Sequence, residues 1–368
     1  MRITGWRIAR LRVPLKVPFR TALREVDHID DRVLLLDTDT GHVGHGSAAA
    51  TAMITGETHA SIEAAWRQHL LPVLRDGDIV ALPDLLERVH RAMAANTSAK
   101  AAIDIALHDL AAQAAGLPLH RFLGSRLEGT ATLATDLTIS ANPLATMRAD
   151  TQTALDAGYR ALKIKVGKHP DSDVETIASL HSDVSGRARL RLDANQGWTL
   201  PHAITVMQAL ESRGLDLQLL EQPLPADDLE GLATLRAAIT TPLLADESVF
   251  NARDAQRAIS AGACDLINLK LMKSGGLAGA ARVADVAREA GVPCMVGCML
   301  ESPIGAAAAA HFAVANAALV RLIDLDSPGL ARFDPVDGNV RFEGPRITVG
   351  DTPGLGIRAI AGLEFLDP

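Results

Sequence analysis

Three acidic and two basic residues at the ends of short apolar runs, with a third lysine inside the first run, carry the chemistry this sequence is equipped to do. Ala161-Leu162-Lys163-Ile164-Lys165-Val166-Gly167 reads as a buried strand, β-branched at Ile164 and Val166 and ended by a glycine. Side chains two apart on a strand share a face, so Lys163 and Lys165 point the same way. Two ammonium groups on one buried face are costly unless anions stand nearby. The anions follow at intervals: Asp193 after Leu190-Arg191-Leu192, Glu221 after Leu217-Gln218-Leu219-Leu220, and Asp246 after Pro242-Leu243-Leu244-Ala245. A further run, Asp265 to Leu269, ends in Lys270.

Asp193, Glu221 and Asp246 form a hard, all-oxygen, anionic set suited to one Mg²⁺ per subunit, with Mn²⁺ as a substitute. Each alone reads equally as a helix cap or an ion pair; three in succession flanked by lysines read as a metal site. A divalent ion beside lysines points to proton abstraction next to a carboxylate, where it would stabilise a dianionic enediolate. A lysine serves as base only when its pKa falls toward neutrality, which burial and a second ammonium bring about; Lys163 supplies that like charge beside Lys165. Lys165 and Lys270, on strands two and six of a barrel, would flank a substrate carbon and invert it by a 1,1-proton transfer. Lys273 reads as support for the site. On an extended last strand Asp324 and Asp326 share a face and offer a paired acceptor for a substrate ammonium; alone, such a pair is more often a turn or helix cap, and the metal-carboxylate site beside it favours the ammonium reading. Glu301 reads either as a helix cap or as part of the mouth.

The elements that position these residues follow from the spacing. Charged ends recur roughly every 24–28 residues, the length of one strand, one helix and two loops of a β/α barrel, whose strand carboxyl ends converge on one mouth. The alternation predicts strands near 132–139, 161–166, 189–193, 217–221, 242–246, 265–270, 293–297 and 320–325, with helix-period residues such as Val174, Ile177, Ala178 and Leu180 between them. The expected fold class is α/β: a (β/α)7–8 TIM-like barrel over residues 128–328, with an α+β capping domain built from residues 1–127 and completed by 329–368. In the cap, strands are expected at Ile8 to Leu15 and Arg32 to Asp37, and helices at His59 to Leu74, Leu82 to Ala94 and Ser98 to Ala115. Glycines 41, 44 and 46 suggest a hairpin rather than a nucleotide loop, because no helix pattern opens after them. Pro18 to Glu25, with Arg20 and Arg24, reads by itself as a solvated connection.

Composition narrows the function. The chain has 368 residues, 48% of them hydrophobic, enough for a barrel of about 250 residues and a smaller domain. A net charge of −8 gives no electrostatic reason to expect nucleic acid. No signal-like stretch opens the sequence, and the alanine-rich segment Gly305 to Val320 carries His311 and Asn316, so it reads as a buried helix, not a membrane span. Cys264, Cys294 and Cys298 fit neither a disulfide framework nor a structural zinc site. A cytoplasmic small-molecule enzyme is expected.

Lys-x-Lys at 163 and 165, Asp193-Ala194-Asn195, Glu221-Gln222-Pro223, Asp246-Glu247-Ser248 and Lys270-x-x-Lys273-x-Gly275-Gly276 together resemble the enolase superfamily, muconate-lactonising subgroup. The resemblance extends to Gly116-Leu117-Pro118 and Pro353-Gly354-Leu355-Gly356. It implies Mg²⁺ with lysine bases, and Asn195 in a supporting role. Asp324-x-Asp326 resembles the dipeptide epimerases. That implies a dipeptide whose α-ammonium lies on this pair and whose carboxyl-terminal residue chelates the metal and is inverted between Lys165 and Lys270, with Met299 at the substrate. Thr21-Ala22-Leu23-Arg24 is similar to the loop of the L-Ala-D/L-Glu epimerases, which implies that Arg24 meets a glutamate side chain. A homo-oligomer is implied as well. Alternatives are an o-succinylbenzoate synthase or cycloisomerase, whose substrates carry no α-ammonium, and a non-catalytic metal-binding barrel, in which the apposed lysines would have no purpose.

Overall fold

Two-sided alternation organises the amino-terminal sheet. The structure, a computed structural model, describes residues 1–21, 25–167 and 170–366. Strands β1 (Ile3–Arg20), β2 (Glu25–Thr38) and β3 (Val43–Ala49) run antiparallel, with Ala9 opposite Val33 and Leu34 opposite Gly46. Ile8, Leu34 and Leu36 face one way, into a core with Trp66, Leu70 and the helix Thr97–Ala114. Ala9, Leu11, Val33 and Leu35 face the other way, onto Ile304 and Ala331. The sheet is thus glued on both faces. The glycines of β3 let it approach the helix: a Cβ at Gly46 would stand 1.9 Å from the Ala102 carbonyl oxygen. They are a packing device within a hairpin sheet, as expected.

The catalytic half is an eight-stranded parallel sheet. After β4 (Ala131–Ala134) come β5 (Leu137–Ile139), β6 (Ala161–Lys165), β7 (Arg189–Asp193), β8 (Leu217–Glu221), β9 (Leu243–Ala245), β10 (Leu266–Lys270), β11 (Cys294–Gly297) and β12 (Val320–Asp324). β5 to β12 pair in sequential order with helices between them. The barrel is nearly closed: β5 and β12 form no ladder, and side chains bridge the seam. The Thr138 N–H donates to Asp326 Oδ2 at 2.7 Å, and the Leu325 N–H to Thr135 Oγ1 at 2.9 Å. Leu219, Leu244 and Met295 form a small apolar cluster of their own, as barrel interiors are packed rather than hollow.

The single first strand expected over 132–139 is two strands. β4 pairs antiparallel with a carboxyl-terminal strand, and only β5 joins the barrel. Thr135 and Asp136 break the apolar run, and Asp136 turns in to meet Arg191 at 2.6 Å. Beyond Pro328 the chain makes β13 (Val336–Asp337), β14 (Val340–Glu343), β15 (Arg346–Val349), β16 (Ala359–Ile360) and β17 (Leu363–Phe365). β17 extends the amino-terminal sheet beside β1, β15 carries β4, and β13 pairs with β16. The helix Pro303–Ala315 is buried almost throughout, and no helix among the described residues is long and apolar enough to cross a membrane. All three cysteines are buried and free.

Candidate active site

Strand ends and cap loops share one cavity. Thr138, Lys163, Lys165, Asn195, Lys270, Met299, Asp324 and Asp326 line it from the barrel side, and Phe19, Thr21, Met53 and Ile54 from the cap. Lys163 and Lys165 do face the same way, and each meets a different carboxylate. Lys165 Nζ donates to Asp193 Oδ2 at 2.5 Å and to Asn195 Oδ1 at 3.1 Å, while Lys163 Nζ donates to Asp324 Oδ2. Lys270 Nζ donates to Asp246 Oδ2 at 2.6 Å.

Asp193, Glu221 and Asp246 lie beneath these lysines, all essentially without solvent exposure. Lys163 stands 3.8 Å from Glu221 Oε2 and Lys270 3.9 Å from Glu221 Oε1. Asn268 donates to Oε1 at 2.8 Å, but Oε2 has no hydrogen-bond partner among the described residues. Burial and then the charge of Asp193 push the Glu221 carboxyl up to about 8. A buried, like-charged set of hard oxygen donors with one carboxylate oxygen unused, met by ammonium groups where a cation belongs, fits a divalent ion of the Mg²⁺ type.

The lysines themselves differ from expectation. Burial favours the neutral amine, yet the carboxylates win: Asp324 foremost holds Lys163 well above the usual ammonium range, and Asp246 does the same for Lys270. For Lys270 the lowering by the Lys163 ammonium ranks below the raising by Asp246 and Glu221. Lys273, on the short helix Leu271–Ser274, stands behind the site with its Nζ 2.6 Å from Asp246 Oδ1 and 3.0 Å from the Asn268 carbonyl oxygen. The glycines after it serve docking: a Cβ at Gly276 would collide with Asp104 of the cap at 2.3 Å.

Gln222, given no role in the sequence beyond its place in Glu221-Gln222-Pro223, holds the Asp246 loop in place. Its Oε1 accepts from the Asp246 and Ser248 N–H groups at 2.9 and 3.1 Å, and its Nε2 donates to Ser248 Oγ at 2.8 Å. Gln222, Asn195 and Gln196 all have positive φ, at 32°, 42° and 66°, so the chain carries local strain just past two acidic strand ends. Glu247 is also buried at the site, with Asn195 donating to it at 3.2 Å; burial and then Asp246 push its carboxyl up to about 7.

Asp324 and Asp326 do open on the cavity. Together with Asp136, which the sequence pattern hides inside an expected strand, they bring one oxygen each within 4.8 Å of one another. Here cations and donors are already built in, from Lys163, Arg191 and the Thr138 N–H. Glu301 is neither the helix cap nor a lining residue: Ser302 holds the N-cap position, and Glu301 Oε1 accepts from the Met299 N–H at 3.0 Å beneath the first helical turn. Arg24 lies outside the described residues.

Two family models match the chain: Mandelate racemase / muconate lactonizing enzyme, N-terminal domain, over residues 3–124, and Enolase C-terminal domain-like, over residues 146–360. An L-Ala-D/L-Glu epimerase from Clostridium acetobutylicum is 42% identical over 356 residues, 96% of this chain and 98% of its own. The substrate-liganded structure of the L-Ala-D/L-Glu epimerase from Bacillus subtilis superposes with a TM-score of 0.95 at 40% identity, covering 98% of this chain and 100% of that one. A dipeptide epimerase from Enterococcus faecalis, complexed with Mg and L-Leu-L-Tyr, superposes with a TM-score of 0.92 at 34% identity, again covering 98% and 100%.

Proposed function

This chain belongs to the mandelate racemase/muconate-lactonising family of the enolase superfamily and is an epimerase acting on dipeptides, and we propose that it inverts the Cα of the carboxyl-terminal residue of L-Ala-L-Glu. The observation that carries the reading is that two lysines and two aspartates, Lys165, Lys270, Asp324 and Asp326, line one cavity. The aspartates supply an acceptor pair for a peptide's free ammonium, and the lysines supply a base and an acid.

In this reading one of Lys165 and Lys270 takes the Cα proton on its Nζ, and the electron pair of the broken C–H bond moves into the adjacent carboxylate. The other lysine, entering as an ammonium, delivers its proton to the opposite face. Each lysine ends in the state its partner began in, so the reverse reaction uses the same pair. Asp193, Glu221 and Asp246 would hold Mg²⁺, which when bound supplies positive charge where the substrate carboxylate gains electrons. Lys163, held charged by Asp324, keeps a fixed positive charge beside Lys165. Asn195 orients Lys165, Lys273 orients Asp246, and Met299 packs against the substrate. Residues 1–127 and 329–368 act as a cap that contributes Phe19, Thr21, Met53 and Ile54 to the mouth and excludes water. Arg24, three positions after Thr21 in the sequence, is assigned to the glutamate side chain by similarity to the L-Ala-D/L-Glu epimerases.

A second reading, an apolar carboxyl-terminal residue, is supported by Phe19, Met53, Ile54 and Leu300 around the mouth and by the L-Leu-L-Tyr relative. Incubating the enzyme with Mg²⁺ and a library of L,L-dipeptides in D₂O, with mass spectrometry, tests both. One deuterium gained at the glutamate Cα of L-Ala-L-Glu is the expected result; no exchange with any dipeptide refutes the epimerase mechanism.

A further inference from the structure

Beneath the ammonium pair sits a buried residue that no substrate reaches. Asp136 is fully buried and does not line the cavity, yet one of its oxygens lies within 4.8 Å of one oxygen each of Asp324 and Asp326. Its Oδ2 accepts from Arg191 Nη1 at 2.6 Å, and its Oδ1 has no hydrogen-bond partner among the described residues. Arg191 is fixed in turn by the Ile323 carbonyl oxygen at 2.9 Å and Gln218 Oε1 at 2.7 Å. Lys163, opposite Arg191 in the β6–β7 register, leans on Asp324. Three carboxylates therefore share two directly bonded cations, and Lys270 and Lys165 act on Asp324 from farther off.

A buried ion pair contributes little net stability, since apolar side chains of the same volume commonly serve as well. Its presence under the clamp calls for another reason. Resting on the dipeptide reading above, we propose that Asp136 is a positioning residue for the substrate ammonium: its carboxylate, held by Arg191, adds negative charge behind the Asp324–Asp326 clamp, where the free amino terminus of the substrate binds. Burial first, then Asp326 and last Asp136, push the Tyr159 phenol up to about 12. Arg191 moderates the field of Asp136 by answering it directly. The pair sets how strongly the enzyme prefers a peptide with a free amino terminus over one that is N-acylated.

The test is steady-state epimerisation of L-Ala-L-Glu and N-acetyl-L-Ala-L-Glu at saturating Mg²⁺ by wild type, Asp136→Asn, Arg191→Gln and the double variant. Asp136→Asn should raise KM for the free dipeptide about tenfold, as expected for losing one charge some 5 Å away in a partly screened site, with kcat within about twofold. Its preference for the free over the acetylated peptide should fall by a similar factor. Adding Arg191→Gln restores the charge count and should return KM to within about threefold of wild type. Arg191→Gln alone should lower KM, and this arm decides the matter if Asp136→Asn fails to fold. A double variant no better than Asp136→Asn, or a higher KM in Arg191→Gln, assigns the pair a merely structural role and overturns the inference. Wild-type exchange with an unmoved KM in Asp136→Asn overturns this inference alone; no wild-type exchange with any free dipeptide overturns the dipeptide reading and this inference with it.

Discussion

Replacing Asp31 by Asn should make the protein's stability less sensitive to pH, and the size of the effect follows from one buried contact. Asp31 on β2 is fully buried where the cap meets the barrel, its Oδ2 accepting from the Ser302 N–H at 2.7 Å and its Oδ1 having no hydrogen-bond partner among the described residues. Burial outweighs that hydrogen bond and pushes the carboxyl from 3.8 up to about 6. The native state therefore keeps a proton that the unfolded chain has already lost, so stability falls as pH rises from about 4 to about 6 and is level above. Full ionisation removes about 3 kcal/mol of stability. An asparagine keeps the acceptor for Ser302 and does not titrate; its amide adds an unpaired donor at a pH-independent cost of about 1–3 kcal/mol. Urea unfolding of both proteins by tryptophan fluorescence between pH 4 and 7.5 should show the difference between them moving in the variant's favour by about 3 kcal/mol. Glu301, pushed up to about 8 by burial and then by Asp31, adds to the trend, because it ionises earlier once Asp31 is neutral. A gap that stays constant across this range would refute the reasoning.

Lys165→Ala and Lys270→Ala should each abolish inversion, and each should lose deuterium exchange from one epimer before the other; equal loss from both epimers in both variants contradicts a two-base mechanism. Gln222→Ala removes the acceptor for two backbone N–H groups of the Asp246 loop and should weaken Mg²⁺ affinity by about 10–100-fold, measured by activity against free Mg²⁺. Gly46→Ala forces a methyl into the Ala102 carbonyl and should lower stability by about 3 kcal/mol or more without altering KM in the folded fraction, read by thermal melting and kinetics. Chelation of Mg²⁺ should stop exchange and lower Tm, and readdition should restore both, because a bound cation offsets the repulsion among Asp193, Glu221 and Asp246.

Much of the chemistry was legible in one dimension because a β/α barrel converts sequence spacing into spatial convergence. Each strand brings its last charged residue to the same mouth, so Lys165, Asp193, Glu221, Asp246 and Lys270 need no long-range information to be grouped. The alternation of Ile8 with Ala9, and of Leu34 with Leu35, likewise encodes a sheet covered on both faces. What tertiary structure decided is who neutralises whom. Asp136 and Arg191 meet across 55 positions and Asp31 and Ser302 across 271, and no local periodicity announces either pair. The split of the expected first strand follows from the former contact. The raised ammonium ranges of Lys163 and Lys270 were equally out of reach, because they depend on the Asp324 and Asp246 carboxylates that the fold brings against them. Residue types and spacing are properties of the chain, while desolvation and Coulomb energy depend on distances that exist only once the barrel has closed.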